Sequence, residues 1–179
     1  MSKRVLCLLS PGFEEIEAVT PIDLLRRADV EVTLAALGET LSVTGRSGII
    51  LQADVLLSQV NGRDFDLLFL PGGPGVKGMR EDGRPAALAR TFAAEGKTVT
   101  AICAAPTILH DAGLLAGKAF TAHFSVREEL SGAREGRVVT DGGVITSRGA
   151  GTALDFGLEL LRELCGPEKA EEVAKSIMA

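Results

Sequence analysis

Three short runs limit what this chain can become. Val5-Leu6-Cys7-Leu8-Leu9 is wholly apolar and is stopped at once by Ser10-Pro11-Gly12. Asp66-Leu67-Leu68-Phe69-Leu70 is stopped by Pro71-Gly72-Gly73-Pro74-Gly75, and Thr98-Val99-Thr100-Ala101-Ile102 runs into Cys103-Ala104-Ala105-Pro106. A strand with one wet face alternates polar and apolar residues. The first two runs do not, and the third is β-branched and closes on small residues. They predict strands covered on both faces, as in a parallel sheet.

Helical patterns lie between them. Glu14 to Ala28 carries Ile16, Val19, Ile22, Leu24 and Leu25 as its apolar positions, with Arg26 and Arg27 at its end. Val30 to Ala36 reads as the next strand, so the chain opens with a βαβ unit. Arg84 to Glu95, Thr107 to Ala112, Gly151 to Leu164 and Pro167 to Met178 read as further helices. Leu41 to Leu51 suits a hairpin or two edge strands, Asp54 to Val60 a helical turn, and Ala119 to Ala122 a short strand. Val138 to Thr140 and Val144 to Ser147 flank the turn sequence Asp141-Gly142-Gly143. The alternation predicts one α/β domain over residues 1–179, with a mainly parallel sheet and helices on both faces.

A net charge of −5 speaks against nucleic acid or an anionic membrane as partner. No apolar run is long enough for a membrane span or the core of a signal peptide. Cys7, Cys103 and Cys165 form no C-x-x-C pair, so neither a metal site nor a dithiol motif is expected. The expected setting is a reducing cytoplasm.

Ligands of open α/β sheets bind beyond the carboxyl ends of the strands. Four loops meet that condition: Ser10 to Glu17, Pro71 to Gly75, the turn at Cys103, and the segment at His123. Cys103 reads as a nucleophile on a strand-to-helix elbow. Ala101, Ala104 and Ala105 are small enough for the tight turn, Pro106 suits a first helical turn, and a helix N-terminus beside the sulfur favours a low-pKa thiolate. A buried structural cysteine is the plainer reading. Glu17, among Glu14, Glu15 and Glu17, is placed to point inward with a raised pKa, to hydrogen-bond the thiolate or act as a base, although acidic residues also suit any helix start. Gly72 and Gly73 could present N–H groups to an oxyanion, or form a simple turn. His123 is the histidine placed to partner Cys103, or a structural one, whereas His110 reads as a surface residue. Arg148 could hold a substrate carboxylate or anchor a dimer partner. Cys7 reads as inert and Cys165 as incidental. Gly73-Pro74-Gly75-Val76-Lys77-Gly78 matches a dinucleotide fingerprint only formally. It lies outside the first βα turn, and Pro74 and Lys77 are expected to spoil the turn into a helix.

Four segments together resemble the ThiJ/PfpI superfamily. They are Gly12-Phe13-Glu14-Glu15-Ile16-Glu17, Leu70-Pro71-Gly72-Gly73, Ala101-Ile102-Cys103-Ala104-Ala105-Pro106 and Thr146-Ser147-Arg148-Gly149-Ala150-Gly151-Thr152. The branch is that of the Parkinson-disease protein deglycase and bacterial YajL. The resemblance implies a flavodoxin-like, class I glutamine amidotransferase-like sandwich and a homodimer. It implies Cys103 as the oxidisable nucleophile, Glu17 as its acid, Gly73 and Ala104 as backbone donors, and His123 as the nearby histidine. It further implies cofactor-free conversion of methylglyoxal or glyoxal and repair of their adducts. Oxidative-stress protection, redox sensing through a sulfinic acid, and chaperone action are also implied. Phe13 and the Ala104-Ala105 pair vary from some members and bear on pocket shape.

Overall fold

The computed structural model describes residues 2–179. In chain order the elements are β1 (Arg4–Leu9), α1 (Glu15–Arg27), β2 (Glu31–Ala36), β3 (Ser42–Thr44), β4 (Ile50–Gln52), β5 (Val55–Leu56), β6 (Leu67–Leu70), α2 (Val76–Asp82), α3 (Arg84–Ala94), β7 (Thr98–Ile102), α4 (Pro106–Asp111), β8 (Val138–Asp141), β9 (Val144–Ser147), α5 (Ala153–Cys165) and α6 (Pro167–Ser176). One sheet has the order β5-β2-β1-β6-β7-β9-β8. All neighbours are parallel except β8, which turns back antiparallel on β9. β3 and β4 pair separately as an antiparallel hairpin.

The unbroken apolar runs are explained by two layers. Val5, Cys7 and Leu9 of β1 face the layer that holds Leu24, Phe156 and Leu160. Leu6 and Leu8 face the opposite layer, with Phe92, Ile108 and Leu109. Phe69 and Phe156, both fully buried, meet at 5.7 Å with their rings tilted. The sheet order sets β1, β6, β7 and β9 side by side. Their carboxyl-terminal loops therefore adjoin along one edge.

The structure departs from the sequence reading in four places. Ile16 (55% exposed) and Val19 face outward, while Glu15 and Glu17 are buried. The stripe of α1 that packs inward is Glu17, Ala18, Pro21, Ile22, Leu24 and Leu25, and Ile16 and Val19 fall on the other side of the helix. Val76 to Asp82 is a helix, and Pro74 and Lys77 do not prevent it, because Pro74 precedes the first turn, where no N–H is required. Asp54 to Val60 splits into the two-residue strand β5 and a 3₁₀ turn at Leu57–Gln59. Ala119 to Ala122 is not a strand. It lies beside β9, which is already flanked by β7 and β8 and has no ladder left to offer. Its N–H groups go to side chains instead, Ala119 to Asp141 at 2.7 Å and Thr121 to Thr146 at 2.9 Å.

Phe156→Ala removes one ring of the buried pair and leaves a cavity between α5 and the sheet. The expected loss is about 3–5 kcal/mol in urea unfolding with an unchanged m-value.

Candidate active site

The elbow is strained and held from both sides. Cys103 has φ +66°, in the left-handed region, which costs a non-glycine residue roughly 1–2 kcal/mol. Its N–H donates to Ser147 O at 2.9 Å, and its carbonyl accepts the His123 N–H at 2.8 Å. These two bonds anchor the residue between β9 and the segment carrying the histidine. Ala105 is fully buried, and the Thr107 hydroxyl donates to Ala104 O at 2.7 Å.

Glu17 comes from the first turn of α1. Glu14 caps that helix, its carboxylate accepting the Glu17 N–H at 2.8 Å. Glu17 is 1% exposed, and its Oε2 has no hydrogen-bond partner of good geometry. The carboxyl faces the Cys103 thiol and the N–H groups of Gly72 and Ala150. Gly72 makes the meeting possible: a Cβ there would overlap Glu17 Oε2 and stand 2.6 Å from Cys103 Cβ. Gly73 is fixed by conformation as well. Its φ is +96°, and a Cβ would lie 2.6 Å from Glu14 N. The loops are sewn together by Glu14 N–H to Gly72 O and Gly75 N–H to Gly12 O, each 3.0 Å. The Gly73 and Ala104 N–H groups donate toward the sulfur.

These groups open into one cleft of about 820 Å³ that Glu14, Glu17, Gly73, Cys103, Ala104 and His123 line. His123 is half-buried, and its Nδ1 accepts the Ser125 N–H at 3.3 Å and meets the Ser125 hydroxyl at 2.8 Å. That leaves the proton of the neutral ring on Nε2. Burial and the charge of Arg127 lower its pKa, favouring the neutral form. Arg148 does not line this cleft. It lies in a neighbouring hollow of about 580 Å³ with Arg127, Glu135 and Arg137, which shares His123 and Ala150 with the first. Arg46, Lys77 and Arg80 do line the main cleft, although the sequence marks none of them as a site residue. Arg46 sits in the β3–β4 turn, where its N–H bonds Phe13 O at 2.8 Å, a contact with no local sequence signal.

The protons are not arranged as the helix N-terminus alone suggested. Burial, the charge of Glu17 and its hydrogen bond push the Cys103 thiol up to about 12, against the Gly73 and Ala104 N–H groups, which pull it down. The expectation of an independently acidic thiol is therefore corrected. Burial likewise raises Glu17 to about 7, opposed by the bond to Cys103 and aided by the charge of Glu14. The charge of Glu17 raises the thiol, while the hydrogen bond from the thiol lowers Glu17, so the two titrate as a pair. Thiolate forms most readily while Glu17 keeps its proton. Such a site can present a nucleophile, a proton carrier and two oxyanion donors to one bound atom. Cys7 has no such company, and burial alone drives its thiol far up.

Among known proteins, a profile of the DJ-1/PfpI family matches residues 3–163. Protein dj-1beta of Drosophila melanogaster is 40% identical, covering 99% of this chain and 98% of its own. The glutathione-independent glyoxalase DJR-1.2 of Caenorhabditis elegans is 34% identical, covering 98% and 96%. The solved structure of oxidized Toxoplasma gondii DJ-1 superposes with a TM-score of 0.94 at 35% identity, covering 99% and 98%.

The Glu17 pKa carries a stability consequence. The folded value of about 7 lies above the ordinary 4.5, so between those pH values the folded chain holds a proton that the unfolded chain has released. This contribution is complete below pH 4.5 and is lost as pH rises through about 7. Urea unfolding of the wild type should lose roughly 2–3 kcal/mol between about pH 5 and pH 8 relative to Glu17→Gln. Parallel pH dependences in the two proteins would show that Glu17 is not perturbed.

Proposed function

The chain belongs to the DJ-1/PfpI family, and from that premise we propose that it is a cysteine-dependent glyoxalase acting without a cofactor on methylglyoxal or glyoxal, and a deglycase of their adducts. The observation that supports this is the convergence of Cys103, Glu17, Gly73, Ala104 and His123 on one cleft. The Cys103 sulfur attacks the aldehyde carbon and forms a hemithioacetal, with the new oxyanion received by the Gly73 and Ala104 N–H groups. Glu17 gives its own proton to that oxyanion and, now ionised, takes the proton from the carbon and returns it to the neighbouring carbonyl carbon, while His123 Nε2 moves the hydroxyl proton between the oxygens. The aldehyde carbon is thereby oxidised to a thioester and the ketone reduced to an alcohol within one molecule. Water then releases the hydroxy acid and restores the thiol.

A second reading is supported by the likeness to an oxidized DJ-1. In it Cys103 stops at the sulfinic acid, a protonated Glu17 holds one sulfinate oxygen, and the oxidised form is the signal for oxidative-stress protection or chaperone action. A homodimer is part of the proposal. α1 turns Ile16 and Val19 outward, and the β3–β4 hairpin exposes Ile49 and Ile50. Glu15 ties the two elements by accepting the Ser47 N–H at 2.7 Å. Outward apolar residues on joined elements suit a second copy of the chain. A cytoplasmic setting accords with three cysteines that are all free.

Incubation with methylglyoxal should yield D-lactate. Cys103→Ala should fall to background, and Glu17→Gln should fall roughly 10²–10⁴-fold. No lactate, or equal lactate from Cys103→Ala, overturns the enzyme reading. Peptide mass spectrometry after mild peroxide separates the second: oxidation of Cys7 or Cys165 ahead of Cys103 counts against it. Ile16→Asp and Ile50→Asp should each shift the mass measured by light scattering toward a single chain.

A further inference from the structure

One cation outside the reacting groups touches the supports of three of them. Arg80 lies on α2, at the wall of the cleft. Its Nε and Nη2 donate to the two oxygens of Asp111 at 2.7 and 2.8 Å. Its Nη1 and Nη2 donate to the two oxygens of Glu129 at 3.0 and 2.6 Å. α2 leads directly from the Gly73 loop, its first N–H (Val76) bonding Gly73 O at 3.2 Å. Asp111 ends α4, the helix that begins three residues after Cys103. Glu129 follows the turn at Phe124–Val126, which His123 caps. A planar fork that makes bidentate bonds to two carboxylates fixes direction as well as distance.

We propose that Arg80 is a positioning residue for the candidate active site, a single guanidinium that holds the Gly73 loop, the Cys103 elbow and the His123 segment in register. Without it, the Asp111 and Glu129 carboxylates would face each other uncompensated, and their repulsion would part the elbow helix from the histidine segment. The strained Cys103 backbone would feel that movement directly, because its carbonyl is bonded to the His123 N–H. An exposed ion pair ordinarily contributes little. This one is bidentate at both ends, and the side chains of Arg80 and Asp111 are each only 32% exposed. The inference concerns how the sulfur and its donors are held and does not depend on the substrate.

The test is the pH–rate profile for iodoacetamide alkylation, read at the Cys103 peptide by mass spectrometry and paired with thermal unfolding. Arg80→Gln should raise the midpoint of the profile and slow alkylation at neutral pH roughly tenfold, as the Gly73 and Ala104 donors lose alignment while Glu17 is untouched. Asp111→Asn and Glu129→Gln, which each cut one arm, should give smaller shifts in the same direction. Arg80→Lys restores charge without the fork and should recover less than half of the loss. Arg84→Gln is the control. Arg84 on the next helix bonds Asp82 and Leu37 O, away from the cleft, and this variant should match the wild type. A wild-type profile in Arg80→Gln overturns the proposal, as does a loss that simply tracks melting temperature in Arg80→Gln and Arg84→Gln alike. Should Arg80→Gln fail to fold, wild-type profiles in both Asp111→Asn and Glu129→Gln overturn it.

Discussion

A buried carboxyl group and a half-buried thiol are packed together at the floor of a cleft, and the rest of the site is arranged around how they share protons. Only the carboxyl has a pKa near neutrality on its own. The thiol is pushed up by burial and by Glu17, and Glu17 by burial. As a pair they behave differently. Removing one proton leaves a single negative charge that two acceptors and several backbone N–H groups can stabilise. The Gly73 and Ala104 donors favour placing it on sulfur, and the Gly72 and Ala150 N–H groups favour placing it on the carboxylate. The proposed roles of Cys103 as nucleophile and Glu17 as proton carrier draw on that balance, rather than on a helix dipole acting on an isolated cysteine.

The sheet supplies the rigidity that this balance requires. β7 lies between β6 and β9, and the residue after its end takes one partner from the end of β9 and the other from the His123 segment. The left-handed turn at Cys103 persists because its N–H and carbonyl are both taken by neighbours that cannot easily withdraw. The adjoining loops come from sequence positions far apart, and adjacency in the sheet, not nearness in the chain, brings Glu17, Gly73 and Cys103 together.

What could be read from the residues follows the same division. Runs such as Val5 to Leu9 and Leu67 to Phe69 announced strands buried on both faces, because a missing alternation has one simple physical cause. The elbow was legible in its small residues, and Glu17 in the excess of acids at a helix start. The outward turn of Ile16 and Val19 was not, since helical spacing tells which residues share a face and not which face meets the sheet. The segment before His123 misled because strand composition is local, whereas a place in the ladder depends on which edges are still open. Arg46 and Arg80 reach the cleft through a hairpin and a helix whose placement is tertiary, and nothing beside them in the chain marks them out.

Gly72 carries a consequence for how such a site can change. The space a side chain would need there is already occupied by an oxygen of Glu17, by Cys103 Cβ and by the backbone oxygen of Ile102. Shortening Glu17 would free only the first, because the third belongs to a central strand. The floor of the cleft is thus a single mechanical unit, in which Glu17, Gly72, Cys103 and the end of β7 must be inherited together. Natural drift or deliberate redesign that reshapes the cleft has the rim to work with, at Arg46, Lys77 and Val126, while the floor stays as it is.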